Sequence, residues 1–418
     1  MKVRKAYKTE LKPNGRQREL LENHAGAARF AYNWGLARKV SSYDLTGKSL
    51  SAIDLHRELN ALKKTRYPWL YEVSKCAPQE APRDLDRAYA NFFRRAELKK
   101  RGKFKGKVGF PRFKSRKRGL GSFKLTGSIH VEESRLKLPR LGWIRLKEKG
   151  YLPAEGKTVH ILSATVSERA GRWFASLQVE EETPEPVTAS GPPVGIDLGV
   201  KTLATCSNNM EAHVHYDNPR ALYAGARQLS RLQRKLCRQE KGSNRREATR
   251  GKIARAHYRM SRVRSDAIHK ATSEIAAKAK PPSMRPAVVA IEDLNVSGMV
   301  KNRRLARSVV DASMREFRRQ LSYKCAWYGI ELVVVQRFET TSKPCSRCGW
   351  VREDLKLSDR VFRCGACGHV ADRDDNASDN ILSLAVSSTE RINGCGGDVR
   401  PLDSERRTPM KRQSERVA

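Results

Sequence analysis

Two kinds of residue in this chain are spaced for chemistry: paired cysteines and isolated acids. KPCSRCGW (343–350) and FRCGACGH (362–369) carry Cys345, Cys348, Cys364 and Cys367 as CxxC, fifteen residues, CxxC. Four thiolates on two such knuckles suit tetrahedral Zn²⁺ with its coordination closed, so one zinc ion would hold structure and leave no open position for reaction; an iron–sulfur centre is the alternative. A glycine follows each pair, as a tight turn bringing backbone amides toward the sulfurs requires. His369, just beyond, reads as a surface histidine. The acids are a separate matter. Asp197 interrupts the apolar run VGIDLGV, Glu292 and Asp293 end the apolar run VVAIEDL, and Asp372, Asp374 and Asp375 crowd just ahead of NASDNILSLAV. Capping accounts for one aspartate at a helix start. It does not account for Asp197 or Glu292, which are costly to bury unless paired or bound to a cation. Carboxylates delivered by two strands and a helix can hold two Mg²⁺ ions and hydrolyse phosphodiesters.

The elements needed to present these groups are legible in part. KVRKAYKTELK (2–12) reads as a strand ending at the turn Pro13-Asn14-Gly15. Helices follow. Leu20, Leu21, Ala28, Ala31 and Trp34 share one face, Leu55, Leu59 and Leu62 another, and Leu85, Tyr89 and Phe92 mark a helix opening after Pro82. From about 120 to 183 the hydrophobic period shifts to two, which predicts short strands of a small β-barrel. If the N-terminal strand belongs to that barrel, residues 16–118 are a helical insertion that splits it. EETPEPVTASGPP (181–193) is a linker by composition. The apolar strands around Asp197, Glu292 and ELVVVQ (331–336), with helices between them, predict a mixed α/β core. HVHY (213–216) is a further strand with His213 and His215 facing solvent.

Lysine and arginine number 84 against 45 acids, a formal net charge of +39. So large a charge repels itself in a compact state and points to a polyanionic partner, nucleic acid above all. Residues 99–118 hold eleven basic side chains and no acid, with Phe104, Phe110 and Phe113 interleaved. Lys103, Lys105, Arg112 and Lys114 in this run are expected phosphate contacts, and the phenylalanines stack on bases or dock on the fold. Residues 220–270 carry sixteen basic side chains against three acids and predict long helices facing phosphate. Nine cysteines, an odd number, suit a metal site with reduced thiols and no disulfide framework. No apolar run is long enough for a membrane span, and MKVRKAYKTELK lacks the apolar core of a secretory signal. The expected location is the cytoplasm, at the bacterial nucleoid, with no membrane partner.

GIDLGVKTLA, AIEDLNVSGM, the CxxC–CxxC insertion and DRDDNAS occur in the order that resembles TnpB, the OrfB protein of insertion-sequence transposons, which is related to the type V CRISPR effectors. KPN, ARFAYNWGLAR, GFPRFKSR, LPRLGWIRL, KNRRLARSVVDASMREF and KCAWYG extend the resemblance over nearly the whole chain. It implies an RNase H-like nuclease of the RuvC type interrupted by a zinc ribbon, and a wedge-like β-barrel split by a helical recognition insertion. The implied boundaries are 1–15 for the first barrel strand, 16–118 for the insertion and 119–183 for the barrel. A linker spans 184–193, the nuclease core 194–338 and 370–386, and the zinc ribbon 339–369; the polar, Gly-rich and basic tail 387–418 is expected from its composition to be disordered. Asp197, Glu292 and Asp374 then form the catalytic, Mg²⁺-binding triad, with Asp372 and Asp375 supporting or capping. Lys75 and Gln79, in KCAPQ, match the segment that touches the motif beside the DNA target.

The implied activity is RNA-guided, Mg²⁺-dependent cleavage of double-stranded DNA, by one chain with one transposon-derived guide RNA. The alternative is a guide-RNA-bound repressor or accessory transposition protein without cleavage, which loss of a triad acid would have favoured; all three acids stand. A transposase joining strands by itself would need an HUH histidine pair with a tyrosine nucleophile, and none is evident. A junction resolvase acting without RNA could use the same triad but leaves the insertion and the basic helices unexplained.

Overall fold

KVRKAYKTELK forms strand β1 (Lys2–Lys12), and its charges select its neighbour. In the computed structural model, which describes residues 2–116, 119–154, 156–208, 212–337, 339–356 and 358–394, β1 pairs antiparallel with β7 (Arg172–Glu182), from Lys2 opposite Glu182 to Leu11 opposite Trp173. Arg4 and Lys5 meet Glu180 and Glu181 at 3.1 and 2.8 Å. Between these strands in the chain run α1 (Gly15–Thr46), α2 (Ala52–Lys63), α3 (Cys76–Lys100), β2 (Ser122–Leu125), β3 (His130–Val131), β4 (Arg135–Leu138), β5 (Gly142–Leu146) and β6 (Val159–Arg169). The strands assemble one seven-stranded sheet in the order β2-β6-β7-β1-β5-β4-β3. The N-terminal strand thus sits in the middle of a sheet whose other members lie beyond residue 121.

The Pro13-Asn14-Gly15 turn is the cap of α1. The Asn14 side chain accepts from Gln17 N, and the Gln17 side chain returns to Asn14 N, a reciprocal capping box. Gly47, at φ 68°, ends the helix in the left-handed region. α3 starts at Cys76 and runs through Pro82, where sequence periodicity opens it only after that proline. Pro78 and Pro82 are both buried on the face that carries Ala77, Ala81 and Leu85, so packing outweighs the hydrogen bond that Pro82 cannot donate.

The described residues within 1–185 and 227–259 make one compact unit; those within 186–226 and from 260 onward make the other. The second contains β8 (Val194–Asp197), β9 (Thr202–Asn208), β10 (Ala212–Asp217) and α4 (Ala221–Ala224). The basic stretch 220–270 continues as two further helices, α5 (Ala226–Arg238) and α6 (Asn244–Ile275), broken at 239–243. Then come β11 (Val288–Glu292), α7 (Val296–Met299), α8 (Ala306–Ala312), α9 (Met314–Tyr328), β12 (Glu331–Val335), β13 (Val361–Arg363), β14 (Val370–Asp372) and α10 (Arg373–Gly394).

The five-stranded sheet has the order β10-β9-β8-β11-β12, with β8, β11 and β12 parallel. Successive residues of a strand face opposite ways. On β11, Val289 and Ile291 pack with Phe317 and Leu321 of α9, while Ala290 packs with Ile381 and Ala385 of α10. Helices therefore cover both faces of the parallel core. α10 extends to Gly394, past the expected boundary at 386; the rest of the expected tail, 395–418, lies outside the described residues. Among the described residues no helix is long and apolar enough to cross a membrane.

Candidate active site and zinc centre

Asp197 is the last residue of β8 and Glu292 the last of β11. The two strands are adjacent and parallel, with Ile196 opposite Ile291, so both carboxylates leave the same edge of the sheet. Open α/β sheets bind ligands at this edge, beyond the carboxyl ends of the strands. Asp374 comes from the first turn of α10. It reaches the same locality because α10 lies almost in contact with β8 at Gly195. A Cβ on Gly195 would stand 2.3 Å from Ser378 O and 2.8 Å from Leu382 N. Only glycine permits that approach.

Asp197 feels the other two acids. Burial pushes the Asp197 carboxyl from its usual 3.8 up to about 8, and the charges of Glu292 and Asp374 push the same way. Asp197 keeps a partly open surface although protein surrounds it closely. Burial also raises Glu292, against a hydrogen bond donated by Thr341 Oγ1. Arg373 Nη2 lies 3.1 Å from Asp374 Oδ1. The neighbouring aspartates have different partners. Asp372 Oδ1 accepts from Asp374 N at 2.8 Å, which is a capping role. Asp375 faces His215 at 3.4 Å, and Asp379, one turn on, accepts from Ser207 and lies 3.0 Å from His213 Nε2. His213 is therefore not solvent-facing as its polar strand predicts: the α10 acids cover that face of β10. Two strands and a helix thus bring three carboxylates to one end of the sheet, and carboxylate oxygens are the donors a hard divalent cation takes.

The four cysteines are the group, among the described residues, whose ligand atoms all lie within 4.8 Å of one another. Sγ of Cys345 is 3.7 Å from Cys367, and Cys348 is 3.5 Å from Cys364. Zn–S bonds of about 2.3 Å set tetrahedral S···S edges of roughly 3.8 Å, so the sulfurs fit zinc. Gly349 and Gly368 have φ of 75° and 70°, the turn conformation expected after each pair. Desolvation opposes ionisation of Cys364, yet N–H donors from Cys367 and Ala366 outweigh it and hold that thiol at about 6. Phe362 of the β13–β14 hairpin is fully buried beneath the site. His369 is half-buried with Nε2 enclosed, not a surface residue, and it stands outside the cysteine group.

Two asparagines that the sequence does not single out join this centre to the triad. Asn376, two residues after Asp374, accepts from Ser346 N at 2.9 Å and donates to Pro344 O at 2.7 Å. Asn380, one turn on, donates to Thr341 O and Pro344 O, both at 2.8 Å. The first zinc knuckle is thereby fastened to the helix that carries Asp374.

The expected nucleic-acid contacts lie elsewhere. Lys103, Lys105 and Arg112 are exposed in the loop after α3; Lys75 is exposed and Gln79 half-buried at the start of that helix. Lys114 is partly structural: its Nζ sits 3.9 Å from the Tyr32 ring centroid and its backbone is bound by Asn33. Phe110 packs edge-on against Tyr89 and Phe92, so it docks on the fold. Arg231 and Lys235 of α5 with Lys252, Arg255 and Arg259 of α6 line a groove of about 540 Å³ that contains no acid.

A family model described as "Probable transposase" (OrfB of IS605) matches residues 176–303, and "Cas12f1-like, TNB domain" matches 315–381. A third, "Helix-turn-helix domain", matches 1–48, where the chain forms β1 and the single helix α1. A Streptomyces pristinaespiralis protein named as an RNA-guided DNA endonuclease is 36% identical, over 97% of this chain and 94% of its own length. InsQ of Escherichia coli K12, named likewise, is 33% identical over 97% and 98%. A cryo-EM structure of a Cas12f1–sgRNA–target DNA complex aligns with 91% of this chain and 99% of its own at 18% identity and a TM-score of 0.34.

Proposed function

The chain belongs to the TnpB (OrfB) family, and from that membership we propose that it is an RNA-guided DNA endonuclease. It would bind a transposon-derived guide RNA and cut double-stranded DNA in the bacterial cytoplasm, at the nucleoid. The second unit acts as a RuvC-type nuclease, and the seven-stranded sheet with its helical insertion as the wedge-like and recognition modules. One observation carries the chemistry: Asp197 and Glu292 end neighbouring parallel strands, with Asp374 near enough for its charge to raise the Asp197 carboxyl.

These three residues would hold two Mg²⁺ ions. Bound there, the metal would activate water and stabilise the leaving oxygen of a phosphodiester. The chain's own groups prepare the ligands. Thr341 orients Glu292, Arg373 restrains Asp374, and Asp372 fixes the first turn from which Asp374 projects. The cysteine centre, with one zinc, holds the ribbon that Asn376 and Asn380 fasten to α10. Lys75 and Gln79 are assigned to the motif beside the target, and Lys103, Lys105, Arg112 and Lys114 to phosphates.

The test is to purify the protein with its co-purifying RNA, sequence that RNA, and supply matching DNA with randomised flanks and Mg²⁺. Cleavage beside one flanking motif, lost in Asp197→Ala and Glu292→Ala while RNA and target binding persist, is the expected result. Cleavage retained by either variant overturns the site assignment.

A further inference from the structure

Beside Glu292 the second unit contains a cavity of about 420 Å³, lined by Leu198, Glu292, Asn295, Arg315, Arg318 and Arg337 among others. Two of its lining arginines, Arg318 and Arg337, are bound by Asp293, the next residue after Glu292. Asp293 Oδ1 accepts from Arg318 Nη1 of α9 at 2.5 Å, and Oδ2 accepts from Arg337 Nη2, beyond β12, at 2.6 Å. Arg337 Nε also donates to the Asp293 carbonyl at 3.1 Å. One carboxylate thus aligns two guanidiniums from segments 25 and 44 residues away and neutralises only one of them. Arg319 is satisfied by a double hydrogen bond to Glu316 on its own helix. Arg315, which also lines the cavity, has no carboxylate partner among the described residues and adds a further positive charge.

A fixed excess of guanidinium next to an acid triad has a plain chemical use. Two planar forks, each with donors to spare after engaging Asp293, match the oxygens of a phosphodiester. The apolar floor at Leu198, Leu294 and Met314 suits a sugar ring and cannot satisfy an anion by itself. A flanking phosphate seated here would fix the register of the strand at the neighbouring carboxylates, as effective positioning demands.

Resting on the nuclease reading above, we propose that Arg318 and Arg337, aligned by Asp293, bind a backbone phosphate of the DNA strand being cut, next to the scissile one. Asp293 is a positioning residue: it touches no substrate and acts through the two arginines.

The test uses the full protein–guide RNA complex and single-turnover cleavage of targets carrying one neutral methylphosphonate at a time near the cut. In the wild type, one flanking position should slow cleavage about 10- to 100-fold, the range for losing a charge-assisted contact. Arg337→Gln should slow the unmodified target by a like factor and then be insensitive to that methylphosphonate, because both changes remove the same contact. Asp293→Asn should lower the cleavage rate with target binding unchanged, and Asp293→Glu should recover part of it. Should Arg337→Gln melt early, Arg318→Gln serves in its place. Additive losses from the arginine variant and the methylphosphonate, or losses of rate that merely follow target binding, overturn the proposal. If the wild-type complex cuts no DNA, the nuclease reading fails separately. The pocket is then read by dicarbonyl modification of arginines in the full chain with and without a single-stranded oligonucleotide. Protection of Arg318 and Arg337 upholds the pocket; equal modification overturns it.

Discussion

Asp197→Asn should stabilise the magnesium-free protein while abolishing cleavage, two effects of opposite sign from one atom exchange. The carboxyl of Asp197 stands at about 8 in the fold against 3.8 as usual, the cause being burial first and the charges of Glu292 and Asp374 second. A raised carboxyl favours folding fully only below about pH 4. That contribution erodes as pH rises and is gone above about 8, because the unfolded chain has released a proton that the fold retains. At pH 7 the proton retained costs up to ~4 kcal/mol, at about 1.36 kcal/mol per pH interval of one. The side chain keeps a water-facing edge, so about half of that, ~2 kcal/mol, is the expectation. Asparagine carries no such cost.

Because a chain of two units does not unfold as one step, the assay is native-state hydrogen exchange of the β8 and β11 amides, zinc-loaded and without magnesium. A gain of ~2 kcal/mol slows their exchange about 30-fold at pH 7. At pH 5 the gain should fall below half. Unchanged exchange in the variant, or an equal gain at both pH values, would refute the charge argument. In the wild type, Mg²⁺ affinity should climb with pH up to about 8, since the metal needs the ionised carboxylate.

Gly195→Ala places a methyl group against Ser378 O and must displace α10. We expect roughly 1–3 kcal/mol of lost stability and about 100-fold slower cleavage for a triad misplaced by about 1 Å; a wild-type rate would discredit the close-packing account. Asn376→Ala removes two hydrogen bonds between α10 and the first knuckle. Exchange at the Cys345 and Ser346 amides should accelerate and cleavage fall about tenfold or more with zinc still bound, and mass spectrometry with metal analysis would expose a failure on either count. Cys364→Ser should cost the zinc and unfold the β13–β14 hairpin, leaving the five-stranded sheet intact by circular dichroism. Nucleic-acid affinity should drop steeply between low and moderate salt, as titration by fluorescence anisotropy would show.

What the sequence reveals and what it conceals divides by the range of the interaction. Asp197 and Glu292 stand out because an acid inside an apolar run violates a local rule, and the cysteines because their spacing is itself the geometry. The choice of Asp374 among its neighbours came from family resemblance, since nothing local distinguishes it from Asp372, whose side chain caps α10. Gly195 has no turn to justify it; its reason is a backbone oxygen at Ser378, 183 residues away in the chain. Asn376 and Asn380 look like polar residues of an ordinary helix face until Pro344 and Ser346 arrive from the zinc ribbon. His213 and His215 sit in a strand whose alternation predicts exposure; His215 is exposed as expected, while Asp379 of α10 partly covers His213. The start of α3 was obscured for the opposite reason: the local signal of Pro82 is strong, and burial of that face overrides it. The ion pairs of Asp293 with Arg318 and Arg337 have no signature in the sequence, because they close only when β11, α9 and the segment after β12 are folded side by side. Local chemistry therefore marks Asp197, Glu292 and the cysteines as candidates, while the groups that hold them in register belong to long-range packing.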